Sequence, residues 1–212
     1  MKKRRFCCAK IDISRKVFFP RIETEFWVKK TIKAIKKIRK PFSVLDIFAG
    51  TGCIGIAALR VCPENCRGVD FVDIDEEAIK QIKINLRLNK ISKKRYRIYQ
   101  SNLFEKLKNK KYDLIFANPP YVALDRIYEV QKEVLEKESH LALFAGKDGM
   151  FFIKKFLNRV GKYLKPGGKI FMEFDPFQKN GIEKILTKNG FKFIIKKDQF
   201  KKFRWFKAEV IN

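Results

Sequence analysis

Apolar and polar positions along the chain follow two periods, one helical and one extended. After Pro20, the residues Val28, Ile32, Ile35 and Arg39 fall on one stripe while lysines fill the other side, which predicts an amphipathic helix over Glu23 to Lys40. Pro41 ends it. The short run Val44 to Phe48 reads as a buried strand, followed by a glycine turn and a helical stretch from Cys53 to about Val61. Gly68 to Ile74 predicts a second strand, Ile79, Ile82 and Leu86 a helix, and Tyr96 to Gln100 a third strand. The fourth strand, Tyr112 to Ala117, runs directly into Asn118-Pro119-Pro120-Tyr121. A long insert from Val122 to Lys147 precedes a helix from Gly149 to Leu164, the turn Lys165-Pro166-Gly167-Gly168 and a strand from Lys169 to Phe174. The tail predicts a helix from Gln178 to Asn189 and two β-rich runs, Phe191 to Lys197 and Phe203 to Ile211, joined so closely that they must be antiparallel.

Alternation of strands and helices predicts a parallel sheet covered on both faces, and the closing antiparallel pair is the signature of a Rossmann-like methyltransferase sheet. Right-handed crossovers would put every parallel strand's C-terminus on one edge, where ligand chemistry belongs. Gly50-Thr51-Gly52-Cys53-Ile54-Gly55 follows the first of these strands and opens a helix, so the backbone can approach a ligand at Gly50 and Gly52. Asp73 stands about twenty residues on, where a carboxylate can accept both hydroxyls of a ribose. These features suit a dinucleotide and S-adenosyl-L-methionine (AdoMet) equally. Asp46 favours AdoMet, because a carboxylate before the glycines can hold an amino group and a dinucleotide places no cation there. A simple strand-end cap is the other reading of Asp46.

Asn118-Pro119-Pro120-Tyr121 is the most informative tetrapeptide. Consecutive prolines fix the backbone and turn its carbonyls into rigid acceptors, the Asn amide adds an acceptor oxygen, and Tyr121 offers a π face. Together they can hold a planar NH2 group by both hydrogens. An amide or aryl amine nitrogen is a poor nucleophile while its lone pair is conjugated, so catalysis would come from positioning against a methyl sulfonium. His140, the single histidine, reads as a loop residue.

Composition narrows the class. The 212 residues carry 49 Lys+Arg against 23 Asp+Glu, a net charge of +26, and 46% are hydrophobic, enough for a buried core. Such charge suits nucleic acid or a ribosomal neighbourhood, while the abundance of Lys, Ile, Phe and Asn also fits A/T-rich coding bias. No apolar run is long enough to span a bilayer and the basic start leads into Asp12, Arg15 and Lys16, so no membrane anchor and a cytoplasmic location are expected. Cys7, Cys8, Cys53, Cys62 and Cys66 are irregularly spaced and read as reduced thiols, with no metal site.

With these motifs in place the chain resembles the PrmC/HemK family, the methyltransferases of peptide chain release factors, from about Val17 to the C-terminus. Pro20-Arg21-Ile22-Glu23-Thr24-Glu25 is similar to its PRPETE segment, Asp46 to Gly52 to its first AdoMet motif, Gln100 to Phe104 to its third, and Asn118 to Tyr121 to its NPPY. Val134 to Gly149, with Glu138, is similar to a further family stretch, and Lys197, Asp198 and Arg204 to the last hairpin. The resemblance implies a class I AdoMet-dependent methyltransferase fold, α/β, with a seven-stranded mostly parallel sheet and a C-terminal antiparallel hairpin. It implies methyl transfer to the side-chain amide nitrogen of the glutamine in the GGQ motif of class I release factors. Arg21, Thr24, Asp46, Phe48, Ala49, Gly50, Thr51, Gly52, Asp73, Asn102, Leu103 and Asn118 would hold the cofactor. Asn118, Pro119, Pro120, Tyr121 and Glu138 would hold the substrate.

Phe48 stands where the family usually has Gly, Asn102 where Asp is usual, and Ser139 where Pro follows the Glu. The expected layout is a short basic segment over 1–19 and a methyltransferase domain over 20–212 with its substrate insert at 122–147. The family's usual helical N-terminal domain is not expected ahead of Pro20. The competing reading is a methyltransferase of base amines in rRNA, tRNA or DNA, which NPPY and the +26 charge also suit.

Overall fold

The structure, a computed structural model, describes residues 3–129 and 145–211. A hairpin of β1 (Lys3–Phe6) and β2 (Ala9–Asp12) opens it, followed by α1 (Ile22–Ile35), β3 (Phe42–Ile47), α2 (Cys53–Val61), β4 (Cys66–Asp73) and α3 (Glu76–Leu88). Then come β5 (Tyr96–Gln100), β6 (Tyr112–Ala117), α4 (Phe151–Val160), β7 (Leu164–Glu173), α5 (Lys179–Lys188), β8 (Phe191–Lys197) and β9 (Phe203–Val210). The seven-stranded sheet has the order β5-β4-β3-β6-β7-β9-β8. The β5 to β7 portion is parallel, and β9 runs antiparallel between β7 and β8. This is the class I methyltransferase sheet that the alternation of elements predicts.

The period-two pattern of the strands sorts residues onto two cores. Val44, Phe71, Leu114, Phe116 and Phe171 join Trp27 and Val28 of α1 and Ile56 of α2 on one face. Their neighbours Leu45, Val72, Ile115 and Ile170 join Ile153 and Phe156 of α4 and Ile182 of α5 on the other. Both faces being covered explains why β3 and β6 read as nearly continuous apolar runs. The single acid in that part of β3, Asp46, therefore stands out as a residue kept for something other than packing.

Two local outcomes differ from the sequence pattern. Helix α1 stops at Ile35 instead of Lys40, because Ile38 N–H turns back to the Ile35 carbonyl and the Ile38 carbonyl is taken by Asn65 Nδ2 at 3.0 Å. The first residues, read as a plain basic segment, form the β1–β2 hairpin, with Phe6, Ala9 and Ile11 buried in the core. Strand β2 finds a second partner in the side chains of Asn85 in α3 and of Asn89 at its C-terminal cap. Asp12 N–H donates to Asn85 Oδ1 (2.7 Å), Lys10 N–H donates to Asn89 Oδ1 (3.0 Å), and the two amide groups donate back to the Asp12 and Lys10 carbonyls. Asparagines one helical turn apart thus supply the ladder that a neighbouring strand would. No described helix is long and apolar enough to cross a membrane.

Candidate active site

Five parallel strands end on one edge, at Ile47, Asp73, Gln100, Ala117 and Glu173. The loop from β3 to α2 carries Phe48, Gly50 and Gly52 at positive φ (58°, 52° and 73°). Phe48 takes a left-handed backbone that favours glycine, and its ring is held edge-on by Phe152 and Phe156 of α4. Gly55 lies one turn into α2, where an added Cβ would stand 2.5 Å from Phe71 Cε1, so the close approach of α2 to β4 depends on its having no side chain.

Two carboxylates face this loop. Asp73 Oδ2 accepts from Gly50 N–H (2.8 Å) and Oδ1 from Asp75 N–H (3.0 Å), and burial pushes its carboxyl up to about 6. Asp46 is buried beneath the loop, accepts from Gly55 N–H (2.8 Å), and is pushed up to about 8 by burial, with the Asp73 charge adding to it. No described cation pairs with either. A site that holds two strained carboxylates against backbone amides suits a ligand bringing its own positive charge and ribose hydroxyls. Asn102 is exposed on the loop after β5 and Leu103 is buried at φ 52°, tied beside Asp73 by the Ser101 N–H donated to the Asp73 carbonyl (2.9 Å).

At the end of β6 the Asn118 Nδ2 group lies 3.5 Å from Thr24 Oγ1 of α1, while Asn118 Oδ1 is buried without a hydrogen-bond partner among the described residues. A buried acceptor left unpaired costs roughly 1–3 kcal/mol, which a donor from a ligand would recover. Pro119 and Pro120 are buried. Tyr121 is fixed at both ends: its carbonyl accepts from Gln178 Nε2 (3.0 Å) and its hydroxyl faces Glu173 Oε1 (3.4 Å). Gln178 Nε2 also donates to the Gly149 carbonyl (2.9 Å), closing the cleft beside Tyr121. Thr24 therefore meets Asn118, and Arg21 lies 5.6 Å from the Phe18 ring. Glu138 and His140 lie outside the described residues.

Sequence reasoning missed Glu173. It is fully buried at the end of β7, accepts from Trp27 Nε1 (2.7 Å), and burial raises its carboxyl above the ordinary range. Its one signal was an acid closing the apolar run Ile170-Phe171-Met172. Arg204 of β9 pairs with buried Asp198 (3.3 Å) and reaches Asp175 (3.9 Å), so the last hairpin brings a guanidinium toward the same edge. All five cysteines are free, and the described residues hold no cluster of three or more His, Cys, Asp or Glu arranged for a metal.

A family model of the methyltransferase small domain matches residues 4–148. The chain belongs to that family. This methyltransferase is 34% identical over 186 residues to the release factor glutamine methyltransferase of Thermodesulfovibrio yellowstonii, covering 87% of this chain and 65% of that one. It is 37% identical over 180 residues to that of Fusobacterium nucleatum, covering 84% of this chain and 49% of the relative. The chain thus spans about half to two thirds of the length of these curated relatives. Among solved structures, the 16S rRNA N2 G1207 methyltransferase of Thermus thermophilus, in complex with AdoMet and guanosine, superposes with a TM-score of 0.70 at 17% identity, over 99% of this chain and 50% of that one. The ribosomal protein L11 methylase of Lactobacillus delbrueckii superposes at 0.66 with 19% identity, over 92% of this chain and 82% of that one. These likenesses show the fold alone.

Proposed function

We propose that this methyltransferase moves the methyl group of AdoMet to the side-chain amide nitrogen of the glutamine in the GGQ motif of class I peptide chain release factors. The unpaired, buried Asn118 Oδ1 carries the reading. With two prolines following it in the chain, it offers a primary amide an acceptor for one hydrogen, and no charge is needed. AdoMet, when bound, supplies an electrophilic methyl on a sulfonium. Asp73 would accept the ribose hydroxyls, Asp46 the amino group, the amides following Gly52 the carboxylate, and Asn102 and Leu103 would flank the adenine. Asn118 and the proline carbonyls orient the glutamine nitrogen toward the methyl. The amide nitrogen held there would take the methyl as the donor's S–C bond is given up, leaving a neutral sulfide, and one amide proton would pass to solvent. The proposed layout keeps residues 20–212 as the catalytic domain and 122–147 as its substrate insert.

The relatives named above support this substrate, and so does the charge of the cleft next to Tyr121. In a chain of net charge +26, that cleft of about 490 Å³ is lined by Asp125, Asp148 and Asp175 against Arg126 and Lys147. A lining of mixed charge, not a concentration of cations, suits a peptide loop better than a phosphate backbone. The lysine-rich remainder suits a protein working beside ribosomal RNA, in the cytoplasm.

Radiolabelled AdoMet, a purified release factor and its GGQ glutamine-to-alanine variant test the proposal. Label on the glutamine peptide, lost in Asn118→Ala protein that still binds AdoMet, is the expected result. Faster methylation of naked RNA or DNA would transfer the assignment to a base amine.

A further inference from the structure

A second cleft, of about 340 Å³, opens where the parallel strands begin, on the edge of the sheet opposite the glycine loop. Ser43, Gly68, Tyr96 and Tyr112 line it from the starts of β3, β4, β5 and β6. At about 3.3 Å per residue, the run of β4 from Gly68 to Asp73 sets it roughly 17 Å from the carboxylate of Asp73. Its walls carry Arg67, Lys94, Arg95, Arg97, Lys110 and Lys111 against one acid, Asp70. That acid is already engaged, by Lys110 Nζ at 2.6 Å and by the Tyr112 hydroxyl at 2.8 Å. Asp113, close by at the start of β6, is held by Lys165 (2.6 Å) and by Ser43 N–H (2.7 Å). Arg95 donates to the Cys66 carbonyl (3.2 Å). Arg67, Lys94, Arg97 and Lys111 are exposed, and none of them is in an ion pair among the described residues. The cleft therefore keeps four cations with no charge to answer them.

The cleft beside Tyr121 mixes acids with its cations, so this concentration of positive charge is a local feature and not a uniform coat. None of its lining residues is an exposed large hydrophobic, which a membrane surface would call for. The guanidinium forks of Arg67 and Arg97 match pairs of phosphate oxygens. Tyr96, half-buried in the same wall, adds a ring on which a base can pack. A space of this size admits one strand and excludes a duplex, and unpaired stretches belong to RNA. We propose that this cleft binds the sugar-phosphate backbone of single-stranded RNA, holding the methyltransferase on an RNA while its opposite edge stays free for substrate. The inference stands whichever nitrogen receives the methyl group, because the two edges are separate.

Fluorescence anisotropy of a short, unstructured, labelled RNA is read against salt concentration for the parent and two variants. One combines Arg67→Gln, Lys94→Gln, Arg97→Gln and Lys111→Gln. The other removes the same charge around α5 and β8, by Lys162→Gln, Lys184→Gln, Lys188→Gln and Lys192→Gln, all exposed positions. The cleft variant should bind at least about tenfold more weakly at physiological salt and lose about 2.8 from the slope of log affinity on log salt, at roughly 0.7 per phosphate contact, while the control stays within about threefold of the parent. AdoMet affinity, and methylation of release factor without RNA, should be unchanged in both. Equal losses in the two variants would reduce the attraction to diffuse charge and overturn the site. Polyglutamate competing as well as RNA, anionic vesicles binding as tightly, or a duplex of the same sequence binding as tightly would each overturn the choice of partner. Should the cleft variant melt below the parent, the arginine pair and the lysine pair are read separately, each losing about half of that slope.

Discussion

Replacing Asp46 with asparagine should make the ligand-free protein more stable and a poorer binder of AdoMet, and the size of the first effect should depend on pH. Asp46 is buried and its carboxyl is pushed up to about 8 from an ordinary 3.8. An acid raised in the folded state keeps its proton there after the unfolded chain has lost it. Between about pH 4 and 8 the folded protein binds the extra proton, so stability falls as pH rises. From pH 4 to 7 this amounts to on the order of 4 kcal/mol, at about 1.4 kcal/mol per pH unit. Asparagine cannot ionise, and its Oδ1 can still accept from Gly55 N–H. Melting temperatures of the two proteins should coincide near pH 4 and separate to on the order of 10 °C by pH 7.5, the variant being higher. Affinity should move the other way, with the variant at least tenfold weaker for AdoMet at pH 7.5 because the partner of the amino group has lost its charge. Calorimetry in buffers of different ionisation enthalpy should further show proton release when the parent binds AdoMet. A melting difference that does not grow with pH, or a variant less stable at pH 7.5, would refute the reasoning.

Gly55→Ala should cost about 1–3 kcal/mol, because its Cβ meets the fully buried Phe71 ring at 2.5 Å, and denaturant titration together with AdoMet affinity will register the displaced α2. Gly149→Ala combines a positive φ of 71° with a Cβ 2.4 Å from the Tyr121 carbonyl oxygen, so kcat on release factor should fall by at least tenfold while AdoMet affinity stays near that of the parent. Asn85→Leu strips partners from Asp12 N–H and from the Asp12 and Thr51 carbonyls; a loss of about 2–5 kcal/mol and faster proteolysis within the first twenty residues are expected.

The sheet was legible because parallel strands buried on both faces announce themselves as apolar runs, and the loops after β3 and β6 carry residues that no ordinary turn requires. The site was legible to the extent that chemistry followed a strand end: Asp73 and Asn118 stand on the edge where the order of elements puts them. Two features stayed hidden for a common reason, that their partners are distant in sequence. The β1–β2 hairpin, Lys-Arg-Arg-Phe and Ala-Lys-Ile-Asp, is too short and too charged to show a period, and its ladder comes from Asn85 and Asn89. Glu173 acquires meaning only when Trp27 and Tyr121, 146 and 52 residues away, close around it. The early stop of α1 is a matter of local competition, since Asn65 offers the Ile38 carbonyl a better donor than another helical turn would.

The hairpin's reliance on asparagine side chains sets an order of events during synthesis. Strand β2 is made early, yet Asn85 lies 73 residues beyond Asp12 and Asn89 lies 79 residues beyond Lys10. At about 5–20 residues per second, β2 waits roughly 4–16 seconds for the helix that completes its hydrogen bonds. Asn85 also donates to the Thr51 carbonyl of the glycine loop at 2.9 Å. The arrival of α3 therefore docks β2 and braces the glycine loop in a single step of the nascent chain's folding.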